Sequence, residues 1–384
     1  MWRRLVWMVV ALLVVTGGLV GMTAARGRAP AVEAVPAPPT PAPVDAIAQE
    51  PPEAPPAPPE VLVPYDGPVE HIFFHPLIIY PELAFDGDGL SRGYDDWFVT
   101  VPEFSRIVAA LYQRGYILVD LASLFEESTK DGRTVMVRKP LQLPPGKKPL
   151  VLSIDDLNYY EYMRANGNAH RLIVDEDGRI KTVSRTPGGE TVISAENEII
   201  PLLDSFVMQH PDFSYRGAKG VIALTGYEGI LGYRTDRLAD VGLDAERQAA
   251  LTVVRRLKET GWSFASHGWG HLDAAKLSRE TLARDTRRWK TEVEPLIGPT
   301  QIYIYPFGSG VAPGDARFRL LQDEGFRIFC GVGPQPFLQV QDGYVRMDRR
   351  HIDGMAFRTM SRQLLPLFDA NEILDPIRPK PKGP

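Results

Sequence analysis

Eight short apolar runs, separated by stretches of helical periodicity, narrow the folds open to this chain more than any other feature. The runs are Val69 to Leu77, Tyr116 to Asp120, Pro149 to Ile154, Gly220 to Thr225, Trp262 to Ser266, Thr300 to Tyr305, Phe326 to Gly331 and Tyr344 to Ile352. Between them, Phe104, Ile107, Val108 and Leu111 fall at i, i+3, i+4 and i+7, and so do Ala250, Val253, Val254 and Leu257 before a stop at Gly261. Strand followed by helix followed by strand argues for a parallel sheet. With seven or eight such units and no glycine fingerprint of a dinucleotide site, the expectation is an α/β fold, a closed or nearly closed (β/α) barrel rather than an open sheet.

The barrel is expected to occupy residues 65–384, because what precedes it has no means of joining a core. Residues 29–64 hold 13 prolines in 36 positions, a composition that favours extended polyproline II and reads as a spacer. Before it, within residues 1–28, an uncharged apolar run from Leu5 to Met22 follows Arg3 and Arg4. Its 18 residues span roughly 27 Å as a helix, close to the hydrocarbon thickness of a bilayer. We read it as a signal anchor that holds the domain to a membrane on the extracytoplasmic side. A signal peptide cleaved near Thr23-Ala24-Ala25, which leaves a secreted protein, is the alternative. The rhythm breaks once inside the domain, at about residues 158–196, where Arg171 to Val174, a turn at Asp175-Glu-Asp-Gly178 and Arg179 to Val183 read as an inserted hairpin. Leaving the C-terminal end of a strand, it is expected to wall the substrate groove.

Composition removes several function classes. A net charge of -5 with no sustained run of Lys or Arg gives no footprint for nucleic acid. Cys330 is the single cysteine, so no intramolecular disulfide or thiolate cage is available, and a metal site must use His and carboxylate. In an apolar run, Cys330 reads as a packing residue.

Three signals remain that carry chemistry. Asp155 and Asp156 follow the apolar run Pro149 to Ile154, so a strand delivers two adjacent carboxylates to its C-terminal tip. Neighbours on an extended chain point different ways, which lets one carboxylate hold a cation while the other takes a proton. A second pair, Asp95-Asp96, lies outside any strand end and reads as a turn feature. The second signal is Ser266-His267-Gly268-Trp269-Gly270-His271. Its glycines disfavour a helix, but a glycine-rich loop is able to fold both imidazoles onto one cation. The third is Gln301 to Gly308, a strand that stops at Pro306 and turns at Gly308, where backbone N–H groups face outward to a ligand.

Together these signals resemble the polysaccharide deacetylase family, the NodB-like carbohydrate esterases. Ser153-Ile-Asp-Asp156 is similar to the family's first motif, His267 and His271 to its His-x-x-x-His, and Tyr305-Pro-Phe-Gly308 to the Tyr-Pro-aromatic-Gly form of its third, found in a subset that includes deacetylases acting on poly-N-acetylglucosamine-type polymers. The resemblance implies a partly irregular (β/α) barrel with a divalent metal, commonly zinc, held by Asp156, His267 and His271. It implies Asp155 as general base and a backbone N–H near Tyr305, Pro306 and Phe307 as oxyanion donor. The Arg that many members carry before the third motif is Ile304 here; Arg349 or Arg350 are candidates to replace it. The late Leu-x-His motif is missing, which leaves His351 as the candidate general acid and His75 as a further rim residue. Trp269, Tyr305 and Phe307 stand near the motifs as stacking or packing residues. The implied activity is metal-dependent N-deacetylation of an amino-sugar polymer, peptidoglycan or an exopolysaccharide. A catalytically degenerate glycan-binding protein of the same fold is the alternative.

Overall fold

A computed structural model describes residues 61–380. The apolar run at residues 5–22 and residues 29–60 of the spacer lie outside them. Among the described residues no helix is long and apolar enough to cross a membrane. The last spacer residues are structured: Val63–Tyr65 is a strand paired antiparallel with Leu141–Leu143, so the ordered chain begins slightly before residue 65.

All eight apolar runs form strands. They are β1 Glu70–Phe74, β2 Tyr116–Leu118, β3 Lys148–Asp155, β4 Gly220–Leu224, β5 Trp262–Ser266, β6 Ile302–Ile304, β7 Ile328–Val332 and β8 Tyr344–His351. Seven close a ring of parallel neighbours in the order β1, β3, β4, β5, β6, β7, β8 and back to β1. The eighth, β2, pairs with the first part of β3 (Leu118 beside Leu150), and β4 takes over the same edge further along (Ala223 beside Asp155). β3 therefore has three partners, which is where the barrel departs from regularity.

The pleat sorts residues into two cores. Val69, Val151, Val221, Ala223, Ala265, Ile302, Ile304, Ile328, Cys330, Val345 and Met347 form a buried cluster within the strands, filling the barrel. The alternate positions, Ile72, Leu152, Ile154, Ile222 and Leu224 among them, pack outward against helices α1 Val101–Gln113, α2 Ile199–Gln209, α3 Leu243–Glu259, α4 Arg279–Glu292 and α5 Ala316–Asp323. The expected stripes on α1 and α3 are the buried faces. A capping box between Thr100 and Glu103 starts α1, and Gly261, at φ 95° against the Gly217 carbonyl, follows the end of α3. Burial pushes the Cys330 thiol up to about 12, in keeping with a packing role.

The inserted hairpin is present, Arg171–Val174 against Ile180–Arg185, with a third strand, Thr191–Ser194, added to it. Its contacts are with α2, α3 and the loop after β4: Leu172 N–H donates to the Leu231 carbonyl, and Arg256 of α3 donates to the Gly178 carbonyl. Asp95 and Asp96, expected in a turn, instead lie in a short helix, Ser91–Trp97, where Arg92, Arg358 and Arg378 pair with them.

Candidate active site

The parallel ring sends every barrel strand's C-terminal end to one face, and the three chemical signals meet there. Asp156, His267 and His271 each offer a ligand atom within 4.8 Å of the others. His271 Nε2 lies 3.5 Å from Asp156 Oδ2. His267 Nδ1 donates to the Ile304 carbonyl at 2.8 Å, and because a carbonyl only accepts, the proton sits on Nδ1 and the Nε2 lone pair is bare. Asp156 Oδ1 accepts from Tyr160 Oη at 2.7 Å, so a hydrogen bond holds its carboxylate in place. One carboxylate oxygen and two neutral imidazoles are a donor set that suits zinc and leaves coordination positions open. Asp156, His271 and Phe307 all sit in the left-handed region at φ 51–59°, a local strain of about 1 kcal/mol or more each that the surrounding contacts must offset.

Asp155 has a different environment. Burial pushes its carboxyl up, but the Arg349 guanidinium outweighs that and holds it down at about 2. Arg349 grips it with two parallel bonds, Nη1 to Oδ1 at 2.6 Å and Nη2 to Oδ2 at 2.9 Å, while lying 4.1 Å from the centre of the Phe73 ring. Both partners are buried. Of the two candidates for the charge that Ile304 does not supply, Arg349 is the one that reaches Asp155. Arg350 points elsewhere, to Glu70 and the Gln363 carbonyl.

The third motif is divided in its roles. The Tyr305 N–H donates to the Cys330 carbonyl at 3.0 Å and Pro306 has none, so neither residue supplies an oxyanion donor. Phe307 is half exposed, with its ring 4.4 Å from that of His271. Tyr305 is buried and stacked near Phe329. Trp269 is covered by Arg288 and bonded to Glu292, so it is a packing residue. Two rings not foreseen from the sequence, Tyr162 and Tyr227, are exposed next to Tyr160.

His351 has both ring nitrogens engaged: Nδ1 with Asp353 at 2.8 Å and Nε2 beside Met360 Sδ at 3.1 Å. Burial lowers its affinity for a proton, but Asp353 outweighs burial and raises it. His75 donates from Nδ1 to the Trp97 carbonyl at 3.1 Å and is close enough for its charge to lower the Asp155 pKa. Asp285 on α4 is a further residue the motifs did not reveal. Its two oxygens accept from the Trp269 and Gly270 amides, each at 2.8 Å, and so fix the loop between the two histidines.

Comparison with known proteins bears on this arrangement. Residues 242–326 match the polysaccharide deacetylase family, a stretch that includes His267, His271 and the third motif. No curated protein matches the chain. Among solved structures, a Streptococcus pyogenes deacetylase, PplD, in complex with acetate is 12% identical, with 78% of this chain and 99% of that one covered at a TM-score of 0.42. A polysaccharide deacetylase from Bacillus cereus is 14% identical, with coverages of 74% and 65% and a TM-score of 0.39. The family match, and the histidine pair and third motif it contains, bear out the resemblance of residues 242–326 to polysaccharide deacetylases.

Proposed function

We propose that the protein is a metal-dependent hydrolase that removes N-acetyl groups from an amino-sugar polymer. The observation that carries this reading is the convergence of Asp156, His267 and His271 beside an ionised, Arg-clamped Asp155. Asp156, His267 and His271 would hold a divalent cation, zinc by the chemistry of the donors, which would supply a Lewis acid for the acetamide carbonyl and lower the pKa of water. Asp155 stays ionised through the neutral range, so it is always able to accept the proton of an attacking water. The leaving amine needs a proton. His75 suits this better than His351, since among the described residues its Nε2 makes no hydrogen bond while its Nδ1 is anchored, whereas both nitrogens of His351 are engaged. The products are acetate and a free amine on the sugar.

The exposed rings of Tyr162 and Tyr227, which flank the Tyr160 bonded to Asp156, and of Phe307 beside His271 give sugar faces something to stack on near the cluster. This favours a polymer, peptidoglycan or a poly-N-acetylglucosamine type, over a single sugar. The apolar run at residues 5–22 and the Pro-rich spacer support a domain tethered outside the cytoplasm, where such polymers lie.

The test is acetate release from N-acetylglucosamine oligomers with added zinc or cobalt. Activity is expected to vanish on chelation and in Asp155→Asn, and to fall at least tenfold in His75→Ala but less in His351→Ala. Turnover indifferent to chelation or to Asp155→Asn overturns the mechanism. Metal and oligosaccharide binding without turnover of any acetylated glycan makes the protein a binder instead.

A further inference from the structure

A line of buried polar side chains runs from Asp155 down into the otherwise apolar barrel. Asp155 is held by Arg349; Arg349 Nη1 also donates to Ser153 Oγ at 3.2 Å; and Ser153 Oγ is 3.0 Å from Nε2 of His71 on β1. Ser153 and His71 are completely buried and Arg349 nearly so. Beside them the barrel holds Val69, Val151, Ala223, Cys330 and Met347, so His71 is a polar intruder in a hydrocarbon interior.

Counting protons fixes how the line is polarised. A guanidinium only donates, so Ser153 Oγ accepts from Arg349. If His71 also donated to Oγ, the serine proton would have no acceptor among the described contacts and Nδ1 would be an orphaned acceptor as well. If Nε2 accepts instead, the serine proton is satisfied and a single donor, the Nδ1–H, is left without a partner. The second arrangement leaves fewer groups unpaired. Both arrangements keep the imidazole neutral, as burial and the nearby Arg349 favour, so the count of unpaired groups decides between them. An unpartnered buried N–H costs about 1–3 kcal/mol, and a leucine or methionine in its place would not incur that cost.

We infer that His71 is a positioning residue for the deacetylation reaction: by accepting from Ser153 it turns the serine lone pairs toward Arg349 and so fixes the two-pronged grip on Asp155. Without the Nε2 acceptor the hydroxyl is free to rotate its proton toward the guanidinium, and the grip loses its third point. Misplacing a catalytic group by about 1 Å costs on the order of a hundredfold in rate, so a smaller shift of this carboxylate costs roughly tenfold.

The inference rests on the hydrolase reading, and its test separates the two. In the full chain with zinc and an N-acetylglucosamine oligomer, His71→Leu is expected to lower kcat about tenfold or more, with KM and zinc affinity unchanged and a thermal midpoint equal to or above that of the wild type. His71→Gln, whose Oε1 replaces Nε2 as acceptor, is expected to recover kcat to within about threefold. Should His71→Leu not fold, Ser153→Ala tests the same link and is expected to show the same loss in kcat at unchanged KM. A His71→Leu enzyme within twofold of wild type overturns the inference, as does a loss of rate that follows a loss of stability in both His71 variants. If the wild type releases no acetate, the hydrolase reading fails by itself. Nitrogen NMR of the histidine-labelled chain then still reads the link: an unprotonated His71 Nε2 that shifts on Ser153→Ala upholds it, and a protonated Nε2 overturns it.

Discussion

Two adjacent aspartates with the same chemistry have been given different work by what touches them. Asp156 meets a tyrosine hydroxyl and two imidazoles, whereas Asp155 meets a guanidinium. Breaking the latter pair from the arginine side is therefore expected to be costly. In Arg349→Met the carboxylate stays buried with its main counter-charge gone, which should lower stability by about 3–5 kcal/mol and acetate release by at least a hundredfold at neutral pH. The acid limb should change as well. Because the folded pKa of Asp155 lies below its ordinary value of 3.8, its pairing stabilises the wild type above about pH 4, and that stability is lost as pH falls toward 2. Thermal melts between pH 2.5 and 5 should show this slope in the wild type and its loss or reversal in the variant. Both aspartates and both histidines were legible in the sequence because each pair is local and ends an apolar run. Arg349 was legible only as one of two candidates, since it reaches Asp155 from 194 residues away on the last strand. His71 was not legible, because one histidine in a strand leaves no pattern.

At the scale of elements, the histidine loop is held less by its own sequence than by α4. Gly268, at φ 68°, lets the chain turn between the two histidines, and a Cβ there would come within 2.9 Å of the Asp285 carboxylate. Asp285, Arg288, Trp289 and Glu292 fall at i, i+3, i+4 and i+7, and all four serve this face of the barrel. Asp285 accepts two loop amides, Arg288 lies over Trp269, Glu292 accepts from the Trp269 indole, and the Trp289 indole donates to the Leu224 carbonyl. That spacing was readable, but a mostly polar helical face is ordinarily a solvated one, so the signal had nothing to distinguish it. Asp285→Ala is expected to weaken zinc binding about 10–100-fold while the barrel stays folded, measured by competition against a chromophoric chelator and by circular dichroism. Zinc affinity equal to the wild type would show that the loop holds its shape unaided. The strands were the most legible part of the fold, because a core filled on both faces requires continuous apolar runs. What the runs did not encode was the sharing of one β3 edge by β2 and β4, which depends on where each strand begins along the barrel.

For the molecule as a whole, one group that shapes its response to alkali lies outside the Asp156, His267 and His271 cluster. Glu198, completely buried at the start of α2, accepts from the amide of Ile199 and from that of Leu77, and so ties the loop after β1 to the helix that follows the insertion. Burial pushes its carboxyl from 4.5 up to about 8, against the lowering effect of those two amides. The folded state thus keeps a proton that the unfolded chain releases. Stability from this group is fully present below about pH 4.5 and is lost as pH rises through 8, at about 1.4 kcal/mol per pH unit across the window, a few kcal/mol in all. Glu198→Gln retains an oxygen for the two amides and cannot ionise. Denaturant melts from pH 5 to 9 should show the wild type weakening steadily and the variant nearly level, with the two curves crossing before pH 8. Parallel curves would mean that the Glu198 carboxyl is ionised in the folded protein throughout, its charge carried by the two amides and the Tyr159 hydroxyl. The slope also bears on the proposed function, because a hydrolysis that does not use this carboxyl should be lost in alkali only where the fold is lost. Acetate release and the melting midpoint are therefore expected to decline together in the wild type, and Glu198→Gln should extend both to higher pH.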